Sequence, residues 1–322
     1  MMIQIFNFFA KRTIVTFSMV TDKACNIARS EKALNTLRNY RTASRSFASF
    51  LLDTCQKNDI AVSKITPQLM ARYATWLQTK QRKVCHNTMF CYMKNIRAML
   101  NLYNPKKNYN HVFAGLIVRE EPTRKRAVGK DVMGKILQLK ATGNKALDLA
   151  VALVKFSFAA MGMPFVDMAA LRRENMKDDH IEYYRHKTKS LVRVPITNII
   201  LDTISRYKDM CSADYLLPIV HSTSKKAFAV DYHRALMRHN YQLKKIGVAY
   251  RLAAPFTSYV VRHTWATICF HTTKDITVVS QGLGHGSVSM TKRYLDEIGI
   301  RKMARASVDV IQSVMQSRFA AL

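Results

Sequence analysis

The chain has 322 residues, with 51 Lys and Arg against 21 Asp and Glu and a formal net charge of +30. This length suffices for two domains with separate cores, and the charge favours a polyanionic partner, either nucleic acid or an anionic membrane surface. No apolar run reaches the roughly 18 residues of a membrane span, which argues against a membrane protein. The six cysteines lack metal-finger spacing, so we expect reduced thiols, no metal site and a cytoplasmic protein.

The positive charge is spread along the chain rather than gathered in a tail. Residues 26–108 hold 15 basic and 3 acidic residues, and residues 109–322 hold 33 and 17. Both parts could therefore face the same polyanion, whereas a disordered basic tail would concentrate the charge in one run.

The first part of the sequence predicts a small helical domain after an N-terminal tail or arm over residues 1–25. Within residues 26–104, apolar periodicity predicts helices at about 32–54, from Thr66-Pro67 onward, and from about Asn87. Three arginines lie at i, i+3 and i+7 on the first of these helices: Arg38, Arg41 and Arg45. This basic stripe predicts contacts with phosphates, although a merely solvated face is the alternative.

Residues 105–127 are polar and basic, and they predict a linker to a second domain over residues 128–322. Helical patterns near 130–141 and 146–158 come first. Period-two apolar spacing on both sides of the HKTKS turn then predicts a β-hairpin. Further helices are expected at about 198–209, 230–246, 257–270, 275–283, 287–295 and 299–318. The fold class is thus mainly α with a small β-hairpin.

Four segments of the second domain together resemble the tyrosine recombinase, or phage integrase, family. They are the KTK hairpin turn, the GMPFVDMAALR segment from Gly162, the RHTWAT segment from Arg262, and a Leu-Gly-His turn followed nine residues later by a tyrosine. Each is weak alone, and the combination is specific. The resemblance covers about residues 30–315. It implies a SAM-like core-binding domain and a catalytic domain that form a C-shaped clamp on double-stranded DNA.

The resemblance implies a role for each of four catalytic candidates. Tyr294 would attack the scissile phosphate and form a 3′-phosphotyrosine, Arg262 would clamp the non-bridging oxygens, and His285 would hydrogen-bond the same phosphate. Lys187 would protonate the leaving 5′-oxygen, although Lys189 lies only two residues away. Supporting candidates are Tyr259, His263 and Asp167, of which Asp167 is expected to be structural.

The family also implies partners and cofactors. It works as a tetramer on two DNA sites, with accessory DNA-bending proteins in some systems, and needs neither a metal nor a nucleotide. An amphipathic pattern at about 299–318 predicts an exchange helix that docks on a neighbouring subunit. The expected location is the cytoplasm, in association with the nucleoid.

One departure from the family's pattern concerns its first arginine. Pro164 stands where the Gly-Leu-Arg-x-x-Glu pattern has arginine, and Met161 stands where a divergent branch has it. Loss of one charged donor from such a site costs on the order of 10²–10³ in rate. Three basic residues are candidate replacements: Lys155, Arg126 and Arg172.

The departure leaves a second function open. A catalytically impaired DNA-binding protein of this fold, acting as an architectural or regulatory factor, would not need the arginine. The presence of the other four catalytic candidates argues against such a binder, because it would not need them: Lys187, Arg262, His285 and Tyr294. A type IB topoisomerase-like nicking enzyme shares the chemistry, but the small helical domain favours a recombinase. A generic RNA-binding protein is disfavoured because no RNA-binding module is recognisable.

Overall fold

A computed structural model describes residues 14–31, 34–79, 84–114, 116, 121, 126–212, 214–222, 224–286 and 291. The chain divides into two compact units, residues 1–123 and 124–322. The boundary falls inside the segment that the sequence predicts as a linker. No described helix is long and apolar enough to cross a membrane.

The described residues of the first unit form four α-helices: α1 (Phe17–Ser30), α2 (Leu34–Cys55), α3 (Pro67–Thr79) and α4 (His86–Tyr103). Helix α2 packs against both α1 and α4. An aromatic cluster forms the centre of the core, where the Tyr73 ring lies 5.1 Å from Phe47 and 5.2 Å from Phe50. All three rings are fully buried, so this unit has a core of its own.

Two sequence expectations about the first unit are wrong. Residues 17–25 are not a tail, because α1 buries Phe17, Val20 and Ala24 in the core. Part of the predicted linker is also ordered, since a 3₁₀-helix at Tyr109–Phe113 buries Tyr109, Val112 and Phe113 in the same core. In both places a few apolar side chains pack against the core formed by α2, α3 and α4.

The second unit has seven described α-helices and a two-stranded antiparallel sheet. Before the sheet come α5 (Lys130–Leu137), α6 (Lys145–Ala159) and α7 (Phe165–Ala170). The sheet is formed by β1 (His180–Tyr184) and β2 (Leu191–Pro195). After it come α8 (Asn198–Tyr207), α9 (Lys225–Ala249), α10 (Ser258–Thr273) and α11 (Ile276–Gly282).

Helix α6 is the centre of the second unit. The side chain of Asn144 caps its first turn by accepting from the amides of Ala146 and Leu147. Its apolar residues are buried on most sides because α5, α8, α9 and α10 all pack against it. The helix thereby holds α10 and the α6–α7 turn in fixed positions, and both contribute to the site described below.

The predicted hairpin is confirmed, and the structure supplies its register. Ile181 pairs with Val194 and Tyr183 pairs with Val192, and all four side chains are buried. The alternate residues point outward, as the period of two requires. The connecting residues 185–190 therefore emerge from a well-anchored ladder.

The mainly helical fold class is confirmed, and the described helices of the second unit lie close to their predicted positions. Helix α7 is an addition that the sequence pattern does not predict. The predicted helices at 287–295 and 299–318, and with them Tyr294, lie outside the described residues, apart from Thr291.

Candidate active site

Arg262 lies in the second turn of α10 and is only 4% exposed. Its Nη1 donates to the carbonyl oxygen of Gly162 at 3.0 Å, and its Nη2 donates to that of Leu283 at 2.6 Å. The first contact needs a close backbone approach, since a Cβ on Gly162 would lie 3.1 Å from the Cα of Arg262. The guanidinium is thus held between the α6–α7 turn and the turn after α11.

His285 follows α11 and lies beside this guanidinium. Its Nε2 is 3.3 Å from Nη2 of Arg262, and its Nδ1 is 2.9 Å from Oγ1 of Thr291. A guanidinium can only donate, so the ring accepts at Nε2 and donates from Nδ1 to the threonine hydroxyl. Burial is the main reason that the pKa of His285 falls to about 4, and the charges of Arg262, Arg185 and Lys187 lower it further.

Lys187 lies in the exposed hairpin turn. The turn is closed by hydrogen bonds from Arg185 N to Ser190 O and from Lys189 N to Arg185 O, both 2.9 Å long. The charge of Lys187 is near enough to His285 to lower the pKa of its imidazole. Lys189 is also exposed, and it adopts a positive φ of 57°. The structure thus brings Lys187 into the electrostatic neighbourhood of the Arg262–His285 pair.

Arg185 joins the same cluster, and sequence reasoning missed it. It directly follows β1, is 7% exposed, and donates from Nη1 to the carbonyl oxygens of Leu283 and Gly284 at 3.1 and 3.3 Å. The available signal was its place two residues before Lys187, on the same side of the hairpin as the buried Ile181 and Tyr183. In the sequence alone, a charged residue at that point is indistinguishable from the rest of a basic turn.

Asp167 connects α7 to the hairpin. Its Oδ1 accepts from the backbone amide of His186 at 2.8 Å, and its Oδ2 lies 3.5 Å from Nε of Arg185. The carboxylate is 3% exposed. Asp167 therefore anchors the hairpin turn that carries Arg185 and Lys187.

Tyr259 and His263 lie one turn apart on α10 with their rings edge to face, 4.5 Å between centroids. Tyr259 is 55% exposed at the start of the helix, and His263 is half-buried. Tyr259 lies three residues before Arg262 on the same helix and stays a candidate supporting residue.

Two of the three candidate replacements for the first arginine are held elsewhere. Lys155 donates to the carbonyl oxygen of Leu139 at 2.7 Å. Arg172 lies over the ring of Tyr215 at 4.9 Å and 3.9 Å from a carboxylate oxygen of Asp214. The third candidate, Arg126, is exposed just before α5.

The arginine stripe of the first unit is where the sequence predicts it. Arg38, Arg41 and Arg45 all lie on the exposed face of α2, opposite the buried Phe47 and Phe50. The described residues hold no group of three or more His, Cys, Asp or Glu side chains that could bind a metal.

Comparison with known proteins shows the family to which this chain belongs. Residues 128–298 match the phage integrase family, and residues 7–103 match the phage integrase SAM-like domain. The chain belongs to the phage integrase family, the tyrosine recombinases. Among curated proteins, none matches the sequence.

Several solved structures have a similar fold. A lambda integrase dimer bound to a COC′ core site superposes with a TM-score of 0.59 at 15% identity, covering 89% of this chain and 97% of that one. The Tn1549 transposon integrase in complex with a circular intermediate DNA gives 0.62 at 14% identity, covering 90% and 98%. A lambda integrase tetramer bound to a Holliday junction gives 0.60 at 15% identity, covering 89% and 79%.

Proposed function

We propose that this protein is a site-specific DNA recombinase that integrates, excises or inverts a mobile element. The observation that carries the proposal is the buried Arg262, which is bonded to the Leu283 carbonyl beside His285, with Lys187 in the adjoining turn. A desolvated guanidinium aimed at an imidazole suits the recognition of a phosphate oxygen better than a role in packing. Membership of the phage integrase family supports the same conclusion.

In the proposed reaction the hydroxyl oxygen of Tyr294 forms a bond to phosphorus, and the bond from phosphorus to the 5′-oxygen breaks. The tyrosine proton leaves to solvent, and Lys187 gives a proton to the 5′-oxygen. Arg262 and His285 stabilise the charge that develops on the non-bridging oxygens. The phosphotyrosine stores the energy of the broken linkage, so a second 5′-hydroxyl can reverse the step and rejoin the strands.

The proposed substrate is double-stranded DNA, which both units would contact. The lambda and Tn1549 integrases, whose folds are similar, have been solved with DNA. The lambda enzyme also forms a tetramer on a Holliday junction. We extend this to a tetramer of the present chain on two DNA sites, with residues 299–318 as the exchange helix. DNA-bending proteins are proposed accessory partners, and the nucleoid is the proposed location.

The test is covalent capture of DNA. Wild type and Tyr294→Phe are incubated with nicked suicide duplexes taken from the DNA that flanks the gene, and the products are separated on a denaturing gel. We expect a protein–DNA adduct that is lost in Tyr294→Phe and kept in Tyr184→Phe, a control tyrosine that is 70% exposed on β1. An adduct that survives in Tyr294→Phe would refute the assigned nucleophile.

The second candidate function is a DNA-binding factor without useful catalysis. The observation that favours it is Pro164, which occupies the position of the family's first arginine. Tight, salt-dependent binding of the same duplexes by the wild type, without an adduct, would support this function over the recombinase.

A further inference from the structure

The cluster around Leu283 contains two buried guanidinium groups, although the family's first arginine position holds proline. Arg262 comes from α10, and Arg185 comes from the end of β1. We propose that Arg185 is a catalytic residue that binds the scissile phosphate and supplies the positive charge missing at Pro164. This inference rests on the proposed recombinase function and adds to it a residue that the family's motifs do not point to in this sequence.

The two guanidiniums converge on one acceptor. Nη1 of Arg185 and Nη2 of Arg262 both donate to the carbonyl oxygen of Leu283, at 3.1 and 2.6 Å. Nη1 of Arg262 reaches Gly162, two residues before Pro164. The shared acceptor places Arg185 beside Arg262, on the cluster that the α6–α7 turn also borders. Arg185, from the hairpin, therefore lies beside the Arg262 guanidinium. An arginine on the α6–α7 turn would lie beside the same guanidinium.

Arg185 also keeps a donor that its described neighbours do not use. Its Nε is buried beside Oδ2 of Asp167 at 3.5 Å, an ion pair outside hydrogen-bond geometry, so this donor is closed to a ligand. Its Nη2 makes no hydrogen bond to any described residue. This is the donor that a non-bridging oxygen of a phosphodiester would accept from.

The charges around Arg185 favour the same ligand. Arg262 and Lys187 are near enough to affect His285 together with Arg185, and Asp167 is the carboxylate that the described residues place against Arg185. Asp167 also accepts from the amide of His186, so its charge is shared between the backbone and the guanidinium. The cluster therefore brings the positive charges of Arg185, Arg262 and Lys187 close together, and a bound phosphate anion would reduce the repulsion between them.

A purely structural role is the competing explanation. The contacts of Nη1 with the Leu283 and Gly284 oxygens also tie the hairpin to the turn after α11. Both roles predict that Arg185→Ala lowers activity, so the two must be separated by the chemistry of the substrate rather than by loss of activity alone.

The experiment compares adduct formation on two suicide duplexes, one with a normal phosphodiester and one with a methylphosphonate at the scissile position. A methylphosphonate is uncharged, so its reaction needs less stabilisation from a cation. On the phosphodiester, we expect Arg185→Ala to slow the adduct by about 10²–10³ with little loss of DNA affinity. On the methylphosphonate, we expect the deficit relative to wild type to shrink to about tenfold or less.

Two further variants keep the test decisive. Arg185→Lys retains a charge but not the planar fork of donors, and it covers the case in which Arg185→Ala does not fold; we expect a loss of about 10–100-fold on the phosphodiester. Arg193→Ala is the matched control, because Arg193 lies on β2 of the same hairpin, is exposed, and pairs with Glu182 at 2.7 Å. It should form adduct at the wild-type rate.

The outcomes separate this inference from the proposed function. If the Arg185 variants are slowed equally on both substrates, Arg185 has a structural role and the inference is overturned. The inference is also overturned if Arg185→Ala forms adduct on the phosphodiester at the wild-type rate. In either case the recombinase proposal would stand. A wild type that forms no adduct on DNA that it binds would overturn the proposed function, and this inference with it.

Discussion

His285 is held as a neutral ring by its surroundings. Burial first, and then the charges of Arg262, Arg185 and Lys187, lower its pKa from the usual value near 6.5 to about 4. A phosphate placed against Arg262 would add negative charge beside the ring and raise this pKa again. Because the free protein has the lower pKa, near 4, binding takes up protons at pH values above about 4 and up to the raised pKa of the bound state, and DNA affinity rises as the pH falls through that window.

The proton uptake can be measured by calorimetry of DNA binding at about pH 5.5 in two buffers that differ in ionisation enthalpy. We expect the wild type to take up a fraction of a proton, approaching about one, and His285→Asn to take up less. Asparagine keeps a hydrogen-bond donor, so binding itself should persist. Equal uptake by both proteins would assign the proton to another group.

Gly284 is a second position where a single residue decides the site. Its φ is +60°, and a Cβ there would lie 2.4 Å from Cγ2 of Val192 and 2.7 Å from Cδ of Arg185. Neither atom can move far, because both side chains are buried. We expect Gly284→Ala to lower the free energy of unfolding by about 1–3 kcal/mol and to impair adduct formation by displacing Arg185.

Urea denaturation of Gly284→Ala checks this expectation, with Gly134→Ala as the control. Gly134 lies in α5, and a Cβ added to it would meet no atom within 4 Å, so alanine there should stabilise the helix by about 0.5–1 kcal/mol. Wild-type stability in Gly284→Ala would mean that the turn tolerates a side chain and that its contacts with the hairpin are looser than the structure indicates.

The hairpin is the element that carries two basic groups toward the site. Its turn is exposed at Lys187 and Lys189, while Asp167 and the Gly284 carbonyl, which accepts from Oγ of Ser190 at 2.9 Å, hold its base. The two lysines therefore lie on an exposed tip whose base is fixed by hydrogen bonds. If Lys187 protonates the leaving 5′-oxygen, its importance should depend on how much that atom needs a proton.

A substrate with sulfur in place of the 5′-bridging oxygen tests the role of Lys187. A thiolate leaves without a proton, so Lys187→Ala should be slower than wild type by about 10²–10⁴ on normal DNA and nearly equal to it on the sulfur substrate. Lys189→Ala is the matched control and should react like wild type on both. If Lys189→Ala is the variant rescued by sulfur, the proton donor is Lys189 instead.

Local sequence patterns are sufficient to predict some elements and not others. The hairpin is predictable because Ile181, Tyr183, Val192 and Val194 alternate on one face. Helix α1 is less apparent at its start, because its first turn has no acidic residue. Its residues nevertheless alternate between a buried and an exposed face, so the helix lies within reach of a pattern that the prediction of a tail did not use.

The site itself depends on contacts across the second unit that no local pattern reveals. Arg185 meets Leu283 across 98 residues of sequence, and Arg262 meets Gly162 across 100. Motifs that resemble the family could locate Arg262, His285 and Lys187 one by one. They could not show that a hairpin arginine is buried beside them, because burial of a charged side chain is decided by the carbonyls and carboxylate that fold against it.

At the scale of the whole molecule, the charge of +30 is expected to dominate DNA affinity. Each phosphate contact that is lost should reduce the slope of log affinity against log salt by about 0.9. Replacing Arg38, Arg41 and Arg45 on the exposed face of α2 by glutamine should therefore flatten the slope by up to about 2.7, while the cleavage rate of bound DNA stays unchanged. A variant with Lys57, Lys64 and Arg72 replaced by glutamine removes the same charge from other exposed positions of the first unit. The slopes are measured by fluorescence anisotropy from low to high salt. If both triple variants change the slope equally, the stripe on α2 acts through net charge alone and does not contact phosphates. A larger change for the α2 variant locates the DNA on that face.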